Sequence, residues 1–120
     1  MDLEKLPHDH GRPSALVIKD CPQLEDFQII SDLLRQLGDA SRVKLFWLLC
    51  HCEECVINLS AMMEMSSPAV SHHLKLLRSA GLVTSRREGK EVYYKAADSQ
   101  EARLFHSLIE QLMEISCPRS

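Results

Sequence analysis

Three of the chain's five cysteines and one of its six histidines lie within six residues, Cys50-His51-Cys52-Glu53-Glu54-Cys55. Cys52 and Cys55 form a C-x-x-C, a spacing whose two sulfurs can grip one soft ion at about 2.3 Å. Cys55 falls at the start of an apolar segment read as a helix, where the helix dipole favours thiolate. Further ligands are available in Cys50, His51 and Cys21, with Cys117 the weaker candidate. Thiolate donors select soft ions, here Cd²⁺, Pb²⁺, Cu⁺, Zn²⁺ or As(III), without choosing among them. Cys50 has a competing role, because it continues the apolar stripe of Val43, Phe46 and Trp47, and free cysteine is among the most buried residue types.

A second group of residues carries a different chemistry. Between Ser66 and Lys95 the basic residues are Lys75, Arg78, Arg86, Arg87, Lys90 and Lys95, against only Glu88 and Glu91. The net charge of the whole chain is −3, so this is a local basic surface in an acidic protein, and a local surface is enough to hold phosphate. On a helical wheel Val70, Leu74, Leu77, His73, Ala69 and Leu76 share one arc. Ser71, His72, Lys75, Arg78 and Ser79 take the other. Small hydroxyls allow close approach to a duplex, while lysine and arginine reach phosphates or guanine edges.

The elements that must position these groups are legible from periodicity and punctuation. Residues 1–22 read as a flexible arm, rich in proline and without periodicity. Gln23 to Leu37 reads as a helix closed by Gly38, on the spacing of Leu24, Phe27, Ile30, Leu34 and Leu37. Asp39 can cap a second helix, and His51 to Glu54 is a polar break. A short third helix covers about Val56 to Met63. For the fourth, Ser67 is the expected N-cap with Pro68 at the first helical position and Gly81 beyond the last turn. Leu82 to Arg87 and Glu91 to Ala96 form a hairpin through Glu88-Gly89-Lys90, with Tyr93 and Tyr94 on opposite faces. Asp98 with Glu101 resembles a capping box opening the last helix. The order is α-α-α-α-β-β-α, mainly α with a β-hairpin wing, in one domain over residues 23–116 followed by a tail, 117–120.

A short helix, a tight turn and a capped helix with a polar basic face make a helix-turn-helix, and the basic hairpin after it makes a wing. The predicted DNA contacts are Ser67, Ser71, His72, Lys75 and Arg78 on the helix, with Arg86, Arg87 and Lys90 on the wing. The last helix places Ala102, Leu104, Phe105, Leu108, Ile109, Leu112, Met113 and Ile115 over more than half its circumference, which calls for a partner helix and hence a homodimer. No long apolar run or signal-peptide core is present, so no membrane partner and a cytoplasmic, thiol-reducing location are expected. Nothing suggests an enzyme or a small-molecule substrate. There is no phosphate loop, nucleophile elbow or paired acid and base, and the C-x-x-C lacks a βαβ setting.

SSPAVSHHLKLLRSAGLVTSRREGKEVYY, Ser66 to Tyr94, resembles the recognition helix and wing of the ArsR/SmtB family of bacterial winged-helix repressors. The likeness extends back through LGDASRVKLFWLL, Leu37 to Leu49, and covers about Leu24 to Ser116. It implies a winged helix in a homodimer joined by the first and last helices, with Ser71, His72 and Lys75 at recognition positions. It also implies a repressor that leaves its operator when an inducer, commonly a metal ion, binds.

The chain departs from both metal sites of that family. In Glu54-Cys55-Val56-Ile57-Asn58-Leu59, Cys55 matches the first cysteine of the pattern but Ile57 replaces the second. On the last helix Asp98 and Glu114 match the family's carboxylates, but Gln100 and Gln111 stand where histidines would, and amides are poor zinc ligands. The expected function is therefore a repressor bound to a palindromic operator and released by a soft ion at Cys52 and Cys55. The alternative keeps the DNA-binding fold and makes the same thiols a redox or persulfide switch. His73 reads as a partnered core histidine, His8 and His10 as part of a solvated arm, and His106 with Glu110 as a solvated i, i+4 pair.

Overall fold

The computed structural model describes residues 6–117. It divides into two compact units, with the boundary between Asp32 and Leu33. Residues 1–5 of the expected arm and 118–120 of the expected tail lie outside the described residues.

In the first unit the structure adds a helix that periodicity did not announce, α1 (Ser14–Lys19), whose first turn closes on the Pro13 carbonyl. α2 (Leu24–Arg35) begins here, with Glu25 and Asp26 in its first turn, where carboxylates favour the helix dipole. The Gln23 backbone N–H donates to Asp26 Oδ2 at 3.1 Å, one half of a capping box. Leu24, Phe27 and Ile30 form an apolar stripe that stays exposed.

The second unit is the winged domain. Asp39 caps α3 (Ala40–His51), its carboxylate accepting from the Arg42 N–H at 2.9 Å. α3 ends at Cys52, whose backbone is extended. Glu54–Cys55 then form a strand, β1, absent from the expected order. α4 (Val56–Met63) and α5 (Ser67–Ser79) follow, then β2 (Val83–Glu88), β3 (Glu91–Ala96) and α6 (Gln100–Ser116). The sheet order is β1-β3-β2, both pairings antiparallel, with Glu54 opposite Tyr94 and Cys55 opposite Tyr93. The third strand exists only because β3 has an edge to offer, which a two-residue segment cannot announce by itself.

Two expected caps move by one residue. Ser66, not Ser67, caps α5, with its Oγ accepting from the Ala69 N–H at 3.2 Å. A Ser67 cap would want the Val70 N–H, which already donates to the Ser66 carbonyl at 3.0 Å. Ser99, not Asp98, caps α6 by accepting from Ala102 N–H at 3.1 Å, while Asp98 pairs with Arg103.

One core joins the elements. Leu45, Phe46 and Leu49 of α3 meet Leu59 and Met63 of α4, Val70, Leu74 and Leu77 of α5, Leu82 and Val83 at the wing, and Ala102, Phe105 and Ile109 of α6. Each large side chain so buried contributes about 1.5–3 kcal/mol of transfer free energy, so α5 is anchored along its whole apolar face. Arg42 locks the entry to α3, donating to the Gln36 carbonyl at 2.7 Å and facing His73 Nδ1 at 3.3 Å. That contact gives His73 the partner expected of it, although the ring is half-buried rather than in the core.

Candidate functional site

α5 presents the polar face read from the sequence. Ser71, His72, Lys75, Arg78 and Ser79 are exposed, while Val70, Leu74 and Leu77 on the other side are fully buried. Ser67 is half-buried in the first turn, less available than expected because the cap moved to Ser66. Ser71, Leu74, Lys75, Arg78, Ser79 and Tyr94 line a shallow groove between α5 and the wing. Tyr94 packs on the core, whereas Tyr93 lies on the other face under the Arg86 guanidinium, 5.0 Å from its ring centre.

On the wing the three expected cations are not equivalent. The two-residue turn Gly89-Lys90 needs a left-handed residue, and Gly89 supplies it at φ +61°. Arg87 and Lys90 are exposed and have no ion-pair partner among the described residues. Arg86 does not fit the expectation of a free tip cation. Its Nε and Nη2 atoms donate to the Glu53 carboxylate at 2.7–3.0 Å, and its Nη1 donates to Glu88 at 2.7 Å. The hydrogen bond from Arg86 holds the Glu53 carboxyl below its ordinary pKa. Arg86 thus fastens the wing to the segment between Cys52 and Cys55.

The thiols occupy distinct places. Cys50 is half-buried against the core, and burial, with the Glu110 charge second, pushes its pKa up to about 11. That environment suits packing better than ligation, as the stripe suggested. Cys52 is the C-terminal cap of α3; its Sγ donates to the Leu48 carbonyl at 3.2 Å, and burial, then Glu54, raises its pKa. Cys55 is the N-terminal cap residue of α4 and belongs to β1, so the two sulfurs sit on the ends of two helices. Cys21, beyond α1, and Cys117, at the end of α6, are exposed, and every described cysteine is a free thiol. Within the second unit no three of the thiols converge into one ligand group among the described residues.

The positions tied to the family's second metal site, on α6 and at Asp98 just before it, offer a poor ligand set, with two amides in it. Gln111 is engaged with Ser107 at 2.9 Å, and Asp98 with Arg103. Sequence reasoning missed a different cluster. His51 at the end of α3 meets His106 and Glu110 of α6, with Trp47 donating its indole N–H to Glu110 at 3.0 Å. The i, i+4 pairs Trp47/His51 and His106/Glu110 were the only signals, and nothing local brings two helices so far apart in the chain together.

Residues 39–85 match the family model described as a bacterial regulatory protein of the arsR family. The transcriptional repressor SmtB homolog of Synechocystis sp. is 40% identical over 95% of this chain and 86% of its own length. The cadmium resistance transcriptional regulatory protein CadC homolog of Staphylococcus aureus is 32% identical over 72% of this chain and 73% of its own. Among solved structures, the homodimeric winged helix-turn-helix DNA-binding domain from Mycobacterium bovis superposes with a TM-score of 0.67 at 26% identity, covering 93% of this chain and 94% of that one.

Proposed function

This chain belongs to the ArsR/SmtB family of winged-helix transcriptional regulators, a family of DNA-binding proteins rather than enzymes, and from that premise we propose that it is a homodimeric repressor of a palindromic operator, released by a soft metal or metalloid ion. The observation that carries the DNA reading is the pairing of a capped, core-anchored α5, exposing Ser71, His72, Lys75 and Arg78, with a wing exposing Arg87 and Lys90. α5 enters the major groove, its lysine and arginine reaching guanine edges or phosphates, while Arg87 and Lys90 lie along the backbone. Ser67 contributes from the first turn. Arg86 acts as a positioning residue that sets the wing's angle.

Dimerisation accounts for apolar surface that the chain alone leaves bare. Leu104 is 66% exposed, Leu112 50% and Ile115 75% along one side of α6. A two-fold pair sets its two recognition helices about 34 Å apart, one turn of DNA, and this spacing calls for a palindrome.

Cys52 and Cys55 supply two sulfurs to the inducer, with the third ligand from Cys21 of either subunit or from Cys50. The fit is chemical: two half-buried thiols, three residues apart, at the ends of α3 and α4. Coordination removes the Cys52 proton and with it the Sγ–H bond to the Leu48 carbonyl, while the Cys52 backbone N–H keeps its own bond to that carbonyl at 3.0 Å. The relative with cadmium resistance in its name supports an ion of this kind. One observation favours the alternative, in which the same pair is oxidised or persulfidated: within the second unit no third thiol converges on it among the described residues. Fluorescence anisotropy on the DNA upstream of the chain's own gene, with Cd²⁺ and separately with a thiol oxidant, decides between the two. Release by Cd²⁺ under reducing conditions supports the metal reading, and release by the oxidant alone supports the other.

A further inference from the structure

We propose that His51, His106 and Glu110 form a second cation site, suited to a borderline divalent ion such as Zn²⁺ and independent of the thiols. Their ligand atoms all lie within 4.8 Å of one another. Glu110 Oε1 is 3.2 Å from His106 Nε2 and 3.4 Å from His51 Nε2. An ion with bonds of about 2.0–2.1 Å in tetrahedral geometry spaces its ligands about 3.3–3.4 Å apart, so two of the three edges already have the required length. The third closes by drawing together two imidazole rings that meet edge to face, 5.0 Å between centres.

The surroundings are those of a supported ligand set. The Trp47 indole N–H donates to Glu110 Oε1 at 3.0 Å and its ring lies 4.3 Å from that of His51. It thereby orients the carboxylate in the way an outer partner orients a metal ligand. Hydrogen bonds from Trp47 first, then from the two histidines, keep the Glu110 carboxyl below its ordinary pKa and hence anionic. The side chains of His51 and Glu110 are about half exposed and that of His106 one-third, so ion and water can enter.

Two imidazoles and a carboxylate leave a fourth position open and prefer Zn²⁺, Co²⁺ or Ni²⁺ over the soft ions that thiolates select. The set shares no residue with the positions of Asp98, Gln100, Gln111 and Glu114. In the ion-free arrangement Glu110 Oε1 faces Nε2 of both rings, 3.2 Å from His106 and 3.4 Å from His51. On coordination each Nε2 lone pair binds the ion, and each ligating ring carries its one proton on Nδ1. The ion then staples the end of α3 to the middle of α6.

Co²⁺ titration of the full chain in a Cys52→Ser, Cys55→Ser background tests this separately from the thiol reading. The expected result is one Co²⁺ per chain with visible ligand-field bands, no thiolate charge-transfer band, and a loss of at least about tenfold in affinity on His51→Gln or His106→Gln. Absence of Co²⁺ binding in that background, or binding indifferent to both histidine changes, overturns the proposal. Long-range ¹H–¹⁵N spectra of the unsubstituted protein give a readout free of folding defects. Zn²⁺ should shift the imidazole nitrogens of His51 and His106 together with the Trp47 indole N–H, and unshifted His51 and His106 resonances also overturn it. Loss of thiolate charge transfer in the unsubstituted chain would count against the cysteine reading and leave this one standing.

Discussion

Glu53 grips Arg86 through both carboxylate oxygens, at 2.7–3.0 Å, and so joins the segment between Cys52 and Cys55 to the wing. β1 makes the same connection in the backbone, since Cys55 stands opposite Tyr93 on the wing strand β3. An ion that draws Cys52 and Cys55 together therefore pulls on the wing directly as well as on α4. Arg86→Ala or Glu53→Gln should leave Cd²⁺ stoichiometry intact and shrink the difference in DNA affinity between ion-free and ion-bound protein. Paired anisotropy titrations with and without Cd²⁺ measure that difference.

The same tether gives a pH dependence whose sign follows from Glu53. Its folded pKa is depressed by the hydrogen bond from Arg86, so its contribution is complete above the ordinary value of 4.5 and is lost as pH falls below that value. Wing order, followed by the indirect chemical shifts of Arg86 Nε, should hold from neutral pH to about 5 and decay below it. Glu53→Gln should abolish the decay.

Charge on the DNA-facing surface divides by role. Lys75→Ala or Arg78→Ala should cost about 1–3 kcal/mol of binding where the side chain reads a base. Lys90→Ala should weaken binding to all sequences and reduce the slope of log affinity against log salt by about 0.9. Arg86→Ala should change that slope less, because Glu53 and Glu88 already neutralise its charge. Anisotropy at several salt concentrations gives all three.

Between α4 and α5 the chain turns through Glu64 in the left-handed region, at φ 54°. A side chain there costs about 1–2 kcal/mol, partly offset by the entropy a glycine would lose on folding. Glu64→Gly should accordingly raise unfolding free energy by about 0.5–1 kcal/mol in urea titrations, with α5 and its DNA-facing side chains unmoved.

Local pattern carried much of the fold. Asp39 as a cap, Gly81 beyond α5, the buried arc of Val70, Leu74 and Leu77, and the hairpin at Gly89 all depend on neighbours within a turn or two, and all are found. What escaped depends on distant partners or on near-degenerate choices. Ser66 and Ser67 are chemically equal caps, and only the bond already made by Val70 decides between them. β1 needs the edge of β3, and Arg86 reads as a tip cation until Glu53 meets it across 33 residues. His106 and Glu110 read as a solvated pair until α3 brings His51 and Trp47 to them.

The soft-ion account is tested most directly by anisotropy of the upstream DNA under reducing conditions, with the intact chain and Cys55→Ser titrated side by side with Cd²⁺. Cd²⁺ should weaken DNA binding by the intact chain by at least about fivefold, within the range of allosteric coupling, and leave the affinity of Cys55→Ser unchanged. Equal weakening in both proteins, or none in either, would contradict it.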